Sequence, residues 1–420
     1  MTNIIHFSET DFGGAGSSAL KMHQMLSENG FKGIFFCKDK KSNNKDIVII
    51  KPKLKNLYFR LIKVIEDKFN FFKRDYYYFD RNRNIINDIS QVDQYISFHP
   101  DIIMLHWISG FVSLKVIKQL SKKYNCKVFW QALDMSPMTG GCHYAWRCSG
   151  YTNDCKNCPA VGSIFKNLPS INLNYKKKMI KEINIEPISC TSWLTKQLKS
   201  SKLFKDTEIH KIMLGVNLEI FKPLSEEKVT DIKLKYNLPT DKKIIFIGAS
   251  DVLENRKGFS YFIEAMNLIF ENNLIDKNSI IIMSAGNNKP KDILNKIKFN
   301  HRHIGYLDGD CELAEAYQMA TMFVSSSIED SGPLMINESI MCGTPVVSFD
   351  MGVAKDLVIN GETGYIAELR NIKDLANGII KVINLENQKF IKMKKKCREI
   401  GLKKSSTELQ LQKFITLTEQ

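Results

Sequence analysis

Two carboxylates and a proline stand at a suggestive spacing in residues 325–349, SSSIEDSGPLMINESIMCGTPVVSF. Pro333 suits the first turn of a helix, where its missing N–H is not needed. Asp330 and Ser331 stand where a cap belongs. A helix start presents unpaired N–H groups and a positive dipole end, and both attract phosphate. Glu338 follows Asp330 by eight positions, which on a helix is about 12 Å or less. That is the reach of a nucleotide diphosphate-sugar from ribose to hexose. One carboxylate can then hold a ribose and the other a sugar, with phosphates at the helix start between them. The same residues are also compatible with a capped helix carrying a solvated Glu338.

A second group lies before a helical pattern. Arg256 and Lys257 follow an apolar run at 243–248 and precede amphipathic spacing over 258–272. Ligands bind at such strand-to-helix loops in open α/β sheets. Arginine clamps phosphate oxygens with a fork, and lysine supplies a point charge. Gly13-Gly14-Ala15-Gly16 reads as a glycine turn after strand 3–7. It lacks a dinucleotide fingerprint and a phosphate-loop lysine, and suits close backbone approach to phosphate or acceptor. His106 ends an apolar strand, either as a satisfied core histidine or as a cleft contact. Asp134 stands at a strand end in the same way. Cys142, Cys148, Cys155 and Cys158 fall within one loop ending in C-x-x-C, with His143 adjacent. Four thiols suit a structural zinc; reduced packed thiols and disulfides are the other readings. No catalytic cofactor is expected.

The elements that must position these groups alternate. Strands are expected at 3–7, 31–37, 101–105, 126–130, 186–191 and 209–216, with a helix at 112–124. A second series has strands at 243–248, 279–284, 302–305, 322–326 and 345–349, and helices at 258–272, 311–319 and 333–342. This α/β alternation signals parallel sheets. Three parts are expected: 1–222, holding the Cys-rich loop 138–162; 223–400; and a basic helical end, 401–420, within a helical stretch over 386–418.

The chain has 420 residues, a net charge of +15 and ten cysteines. The length suits two or three domains. The charge favours anionic partners, or reflects a lysine-rich composition. No run is long and apolar enough to span a membrane, and the start lacks a signal-peptide pattern. A cytoplasmic location with reduced thiols is expected. Residues 53–84 mix lysines with aromatics; Leu57, Leu61, Val64, Ile65, Phe69 and Phe72 fall near one helical face. This is a helix on its own domain or one at an anionic membrane surface. No nucleic-acid-binding motif is present.

Residues 330–338 resemble the E-x7-E signature of retaining family-4 glycosyltransferases, followed by Gly343-Thr344-Pro345-Val346-Val347. Gly13–Gly16, Ser192-Trp193-Leu194, Gly215-Val216-Asn217 with Phe221 and Pro223, Arg256-Lys257-Gly258-Phe259, and Gly361, Thr363, Gly364 and Tyr365 resemble the family's other landmarks in order. DIIMLHWISGF and WQALDMSPMTGGCHYAWRCSGYTNDCKNCPAVGS resemble the colanic-acid branch of bacterial exopolysaccharide glycosyltransferases. The resemblance implies a GT-B fold: two Rossmann-like domains facing a cleft, with a C-terminal helix returning to the first. It implies sugar transfer, with retention, from a UDP- or GDP-linked donor to a glycan or polyprenyl-diphosphate-linked acceptor. Lys257, Arg256 and Asp330 would be catalytic. Gly14, Gly16, Tyr306, Gly332, Pro333, Leu334, Met335 and Glu338 would bind donor, and His106 and Asp134 would face the acceptor. A sugar-nucleotide epimerase and a non-catalytic glycan-binding protein are the alternatives. Three features depart from the family pattern. Asp330 replaces the first glutamate, with Glu329 beside it. Leu133 stands where a histidine is usual. The loop from Gly248 to Lys257 is long, and Arg256 stands in for an absent basic residue.

Overall fold

The computed structural model describes residues 2–51, 72–79, 81–287 and 294–419. The chain divides into two compact units. The first comprises Met1–Cys190 and Leu194–Ile212, the second Thr191–Trp193 and Met213–Gln420. The first unit therefore ends ten residues before the expected boundary at 222. The backbone explains the shift: Val216 N–H donates to Ser405 O at 2.9 Å, and Gly215 N–H to Gln410 Oε1 at 2.7 Å. Residues 213–222 are thereby tied to the C-terminal helices, and 401–420 cluster with the second unit.

The first unit is built on seven parallel strands: β1 (Asn3–Phe7), β2 (Lys32–Cys37), β3 (Ile47–Ile49), β4 (Ile102–Leu105), β5 (Lys127–Ala132), β6 (Ile185–Ser189) and β7 (His210–Lys211). Their order is β3-β2-β1-β4-β5-β6-β7. Ile5 pairs with Ile34 on one side and Ile103 on the other. The central strands read as continuous apolar runs because helices cover both faces of such a sheet. One covering helix, Leu114–Tyr124, shows how its ends are set. Ser113 Oγ accepts from Val116 N–H, and Asn125 turns left-handed at φ 49° to close the last turn.

The second unit holds β8 (Lys243–Asp251), β9 (Ile280–Asn287), β10 (His301–His303), β11 (Met322–Ser325), β12 (Val346–Phe349) and β13 (Gly364–Ala367). Their order is β10-β9-β8-β11-β12-β13, all parallel. In each sheet the order reverses once, between β1 and β4 and between β8 and β11. Crevices at such reversals are where open α/β sheets hold ligands.

Several elements differ from the sequence expectation. The glycine turn at 13–16 is the first turn of helix Gly13–Glu28. A Cβ on Gly16 would meet Thr10 Oγ1 at 2.5 Å, so this glycine lets the helix start seat on Thr10. The strand expected at 209–216 is only His210–Lys211. The basic C-terminal stretch is two helices, Asn387–Ser405 and Thr407–Thr418. Ser406 leaves helical geometry at ψ 153° and caps the second helix through Leu409 N–H. Most of the aromatic stretch at 53–84, including its expected helical face from Leu57 to Phe69, lies outside the described residues. Among the described residues no helix is long and apolar enough to cross a membrane.

Candidate active site

The second sheet's reversal point carries the cations. After β8 a short turn, Asn255–Lys257, ends at Gly258 with φ 64°. A Cβ there would lie 2.0 Å from Ser326 O, so the left-handed turn and the close approach both demand glycine. The loop after β11 is bonded to this turn: Ile328 N–H donates to Arg256 O at 2.8 Å and Ser326 Oγ to Lys257 O at 3.0 Å. Two segments some 70 residues apart in sequence thus share one edge.

Asp330 takes both cations. Lys257 Nζ lies 2.6 Å and Arg256 Nη1 3.1 Å from Asp330 Oδ2. Gly332 N–H donates to Oδ1 at 3.2 Å. Arg256 also reaches Glu254 Oε2 through Nη2 at 2.5 Å. Burial by itself would raise the Asp330 carboxyl. The Lys257 and Arg256 charges and the hydrogen bonds outweigh it and hold the group below the ordinary carboxylate value. The arrangement is a pair of cations set in position by a buried carboxylate, with a second carboxylate, Glu254, on the arginine. Lys257, Gly248, Ser326, Pro333 and Met335 line a pocket at this point.

Helix Leu334–Met341 begins beside the cluster, with Pro333 at its N-cap and no side-chain cap. Gly332 lies under Thr191, whose Cγ2 would sit 2.7 Å from an added Cβ. Glu338 is buried, at 3% exposure, and accepts from Tyr317 Oη–H at 3.1 Å. This excludes the solvated glutamate allowed by the sequence. Burial first, and the Glu338 charge second, push the Tyr317 phenol well above its ordinary value. Glu338 does not line the Lys257 pocket. Tyr306 is 52% exposed and lies outside it too.

The first unit's candidates are internally satisfied. His106 is buried, with Nδ1 2.8 Å from Gln131 Oε1 and Nε2 3.1 Å from His6 Nδ1. This is the core-histidine reading. Asp134 accepts Ser136 N–H at 2.7 Å on Oδ1 and His143 Nδ1–H at 2.6 Å on Oδ2. His143 was visible in the sequence only as a neighbour of Cys142; its pairing with Asp134 spans nine residues and needs the loop's fold. Gly14 and Gly16 stand in the first helical turn of the first unit.

Cys142, Cys148, Cys155 and Cys158 share one neighbourhood, where each of the other three bears electrostatically on Cys142. All ten cysteines are free. Among the described residues, no group of three or more His, Cys, Asp or Glu side chains is placed to hold a metal ion. Cys142 packs with Tyr78, Ala160 and Val161, and Cys158 packs against the same group. In the metal-free chain burial pushes the Cys142 thiol up and that of Cys155 to about 11.

His6, His106 and His23 form a buried cluster. The His6 and His106 rings stack at 5.4 Å, and His23 meets His6 edge-on at 5.0 Å. Burial pulls His106 and His23 down from 6.5 to about 4 and His6 well below 6.5. The unfolded chain therefore takes up protons first, and stability should fall as pH drops from 6.5 towards 4. A drop from 6.5 to about 4 is worth on the order of 3 kcal/mol for one histidine. Thermal melts at pH 7 and pH 4.5 check this; equal melting temperatures would contradict it.

Comparison with known proteins places the second unit. The family described as "Glycosyl transferases group 1" matches residues 229–404. The chain is 26% identical over 236 residues to an Escherichia coli UDP-Gal:alpha-D-GlcNAc-diphosphoundecaprenol alpha-1,3-galactosyltransferase, covering 53% of this chain and 58% of that one. It is 27% identical over 178 residues to a Campylobacter jejuni N,N'-diacetylbacillosaminyl-diphospho-undecaprenol alpha-1,3-N-acetylgalactosaminyltransferase, covering 42% and 45%. The matches thus span about half the length of these relatives. The structure superposes on sucrose-phosphate synthase from Thermosynechococcus elongatus with TM-score 0.70 at 17% identity, covering 100% and 99% of the chains. The fold is therefore of GT-B type, with two Rossmann-like parallel sheets. The Arg256–Lys257–Asp330 cluster lies inside the matched domain.

Proposed function

We propose that the protein is a retaining glycosyltransferase. It moves a sugar from a nucleotide diphosphate-sugar to a polyprenyl-diphosphate-linked acceptor in bacterial surface glycan synthesis. The observation that carries this is the cation pair on Asp330 at the reversal point of the second sheet, beside an uncapped helix start. The two relatives named above act, by their names, on undecaprenol-diphosphate-linked acceptors, which supports the acceptor class. Of the donor bases, the name of the Escherichia coli relative favours UDP.

In this reading Lys257 and Arg256 exchange part of their hold on Asp330 for the diphosphate, and neutralise the charge that builds on it as the glycosidic bond breaks. The N–H groups of Leu334 and Met335 add donors at the helix start. Asp330 orients the donor sugar. Glu338, held by Tyr317, accepts from the ribose hydroxyls. The acceptor proton leaves on the departing phosphate, so no side chain need act as a dedicated base. Work at the inner membrane face follows from a lipid-linked acceptor.

The test is release of UDP from a panel of UDP-sugars with a polyprenyl-diphosphate-linked acceptor present; no release with any donor would sink the reading. A second measurement is calorimetric titration of UDP. Glu338→Ala should weaken UDP about tenfold or more, the cost of one charge-assisted hydrogen-bonding group. Unaltered affinity would remove the ribose contact.

A further inference from the structure

The first unit contains a pocket that none of the candidates above lines. Phe79, Trp130 and Tyr175 supply ring surfaces to it, and Arg81 and Lys176 supply cations. The Arg81 guanidinium lies 4.4 Å from the centre of the Tyr175 ring, an arrangement that holds the fork in place without consuming its donors. Lys176 Nζ is anchored by donating to Ser136 O at 2.6 Å and Thr139 O at 3.0 Å. It also stands 5.9 Å from the centre of the Trp130 ring. An ammonium has three donors, so one remains beyond those two carbonyls.

The decisive observation is Asn172. It lines this pocket and is 1% exposed. Its Nδ2–H donates to Tyr78 Oη at 2.9 Å. Its Oδ1 is buried and has no hydrogen-bond partner. Such an acceptor is costly unless something donates to it. Ser109 and Ser136, hydroxyl to hydroxyl at 3.0 Å, provide further hydrogen-bonding capacity at the wall.

Ring faces beside an unpaired acceptor suit a pyranose, whose C–H face stacks on aromatics while a hydroxyl donates to the amide oxygen. A guanidinium and an ammonium at the same pocket suit an attached phosphate. We propose that this pocket binds a glycosyl phosphate, through a sugar hydroxyl on Asn172 Oδ1, ring stacking on Trp130 and Tyr175, and phosphate on Arg81 and Lys176. The ligand is either the head of the lipid-linked acceptor or a free sugar phosphate. The first source rests on the transferase reading above; the binding chemistry does not.

The experiment titrates a hexose 1-phosphate, the free hexose, inorganic phosphate and UDP into the full chain and into Arg81→Ala, Arg81→Lys and Lys257→Ala, with thermal melts as a folding control. Hexose 1-phosphate should bind the wild type more tightly than hexose or phosphate alone. Arg81→Ala should weaken it about tenfold, the worth of one charge-assisted contact. Arg81→Lys should recover part of the loss, and Lys257→Ala should leave it unchanged. UDP should bind Arg81→Ala as it binds the wild type. A raised acceptor KM in Arg81→Ala at constant donor KM assigns the pocket to the acceptor head; lost binding with both KM values unchanged assigns it to a free sugar phosphate. The proposal is overturned if the wild type binds no hexose 1-phosphate at millimolar concentration, if inorganic phosphate binds as tightly, or if Arg81→Ala binds it as the wild type does. Absence of UDP binding would instead sink the transferase reading and leave the pocket's chemistry standing.

Discussion

If the protein is the proposed transferase, Lys257→Ala should lower the rate of sugar transfer at least tenfold, and by about 10²–10³ if the ammonium follows the leaving diphosphate to the transition state, as removal of one fixed charge stabiliser typically does. The expectation rests on placement. Lys257 ends a turn that only glycine at 258 can close, because φ is 64° and Ser326 O leaves no room for a Cβ. The ammonium therefore does not have to be ordered when substrate arrives. Its partner Asp330 keeps Arg256 in the variant, so the fold should survive. Steady-state turnover with a melting-temperature control makes the measurement. Lys257→Arg is the informative companion. A guanidinium keeps the charge but replaces a point donor with a planar fork, so partial recovery identifies charge as the main effect. Unchanged turnover in a folded Lys257→Ala protein removes Lys257 from the chemistry.

Much of this site was legible because its parts are local. Asp330 and Glu338 share one segment, and helix periodicity measures their separation. Arg256 and Lys257 follow a strand and precede a helix, which places them at a strand's C-terminal end. What could not be read was long-range. Nothing local says that Asp330 closes on cations more than 70 positions earlier, or that His6 and His106, exactly one hundred positions apart, share a proton position. Glu338 looked open to solvent because its burial depends on Tyr317, which arrives from a different helix. Gly13–Gly16 read as a loop because glycine disfavours helices; tertiary packing on Thr10 outweighs that preference. Cysteine spacing likewise does not say that Cys142 packs with Tyr78 and Val161, with Cys158 against the same group. The break at Ser406 has no glycine or proline to announce it, only a hydroxyl that caps the next helix.

Asp330→Asn should destabilise the protein while tightening its hold on diphosphate. The carboxylate is 8% exposed, and Lys257 and Arg256 are 17% and 14% exposed. Removing the charge between them leaves two partly buried cations facing each other, with Glu254 still on the arginine. Breaking a buried pair of this kind costs about 3–5 kcal/mol. Asparagine keeps the side chain's volume, so the loss is electrostatic rather than a cavity. The same substitution removes the group that competes with a ligand phosphate for both cations. UDP or pyrophosphate should therefore raise the variant's melting temperature by more than it raises that of the wild type, because binding to the native state is stronger and adds directly to stability. On the proposed transferase reading, transfer should nonetheless fall, since the variant loses the carboxylate assigned to orient the donor sugar. Tighter nucleotide binding with slower transfer is the signature of a residue that holds the cations ready and then serves the sugar. An equal ligand-induced shift in variant and wild type would show that the diphosphate does not take Asp330's place on the cations.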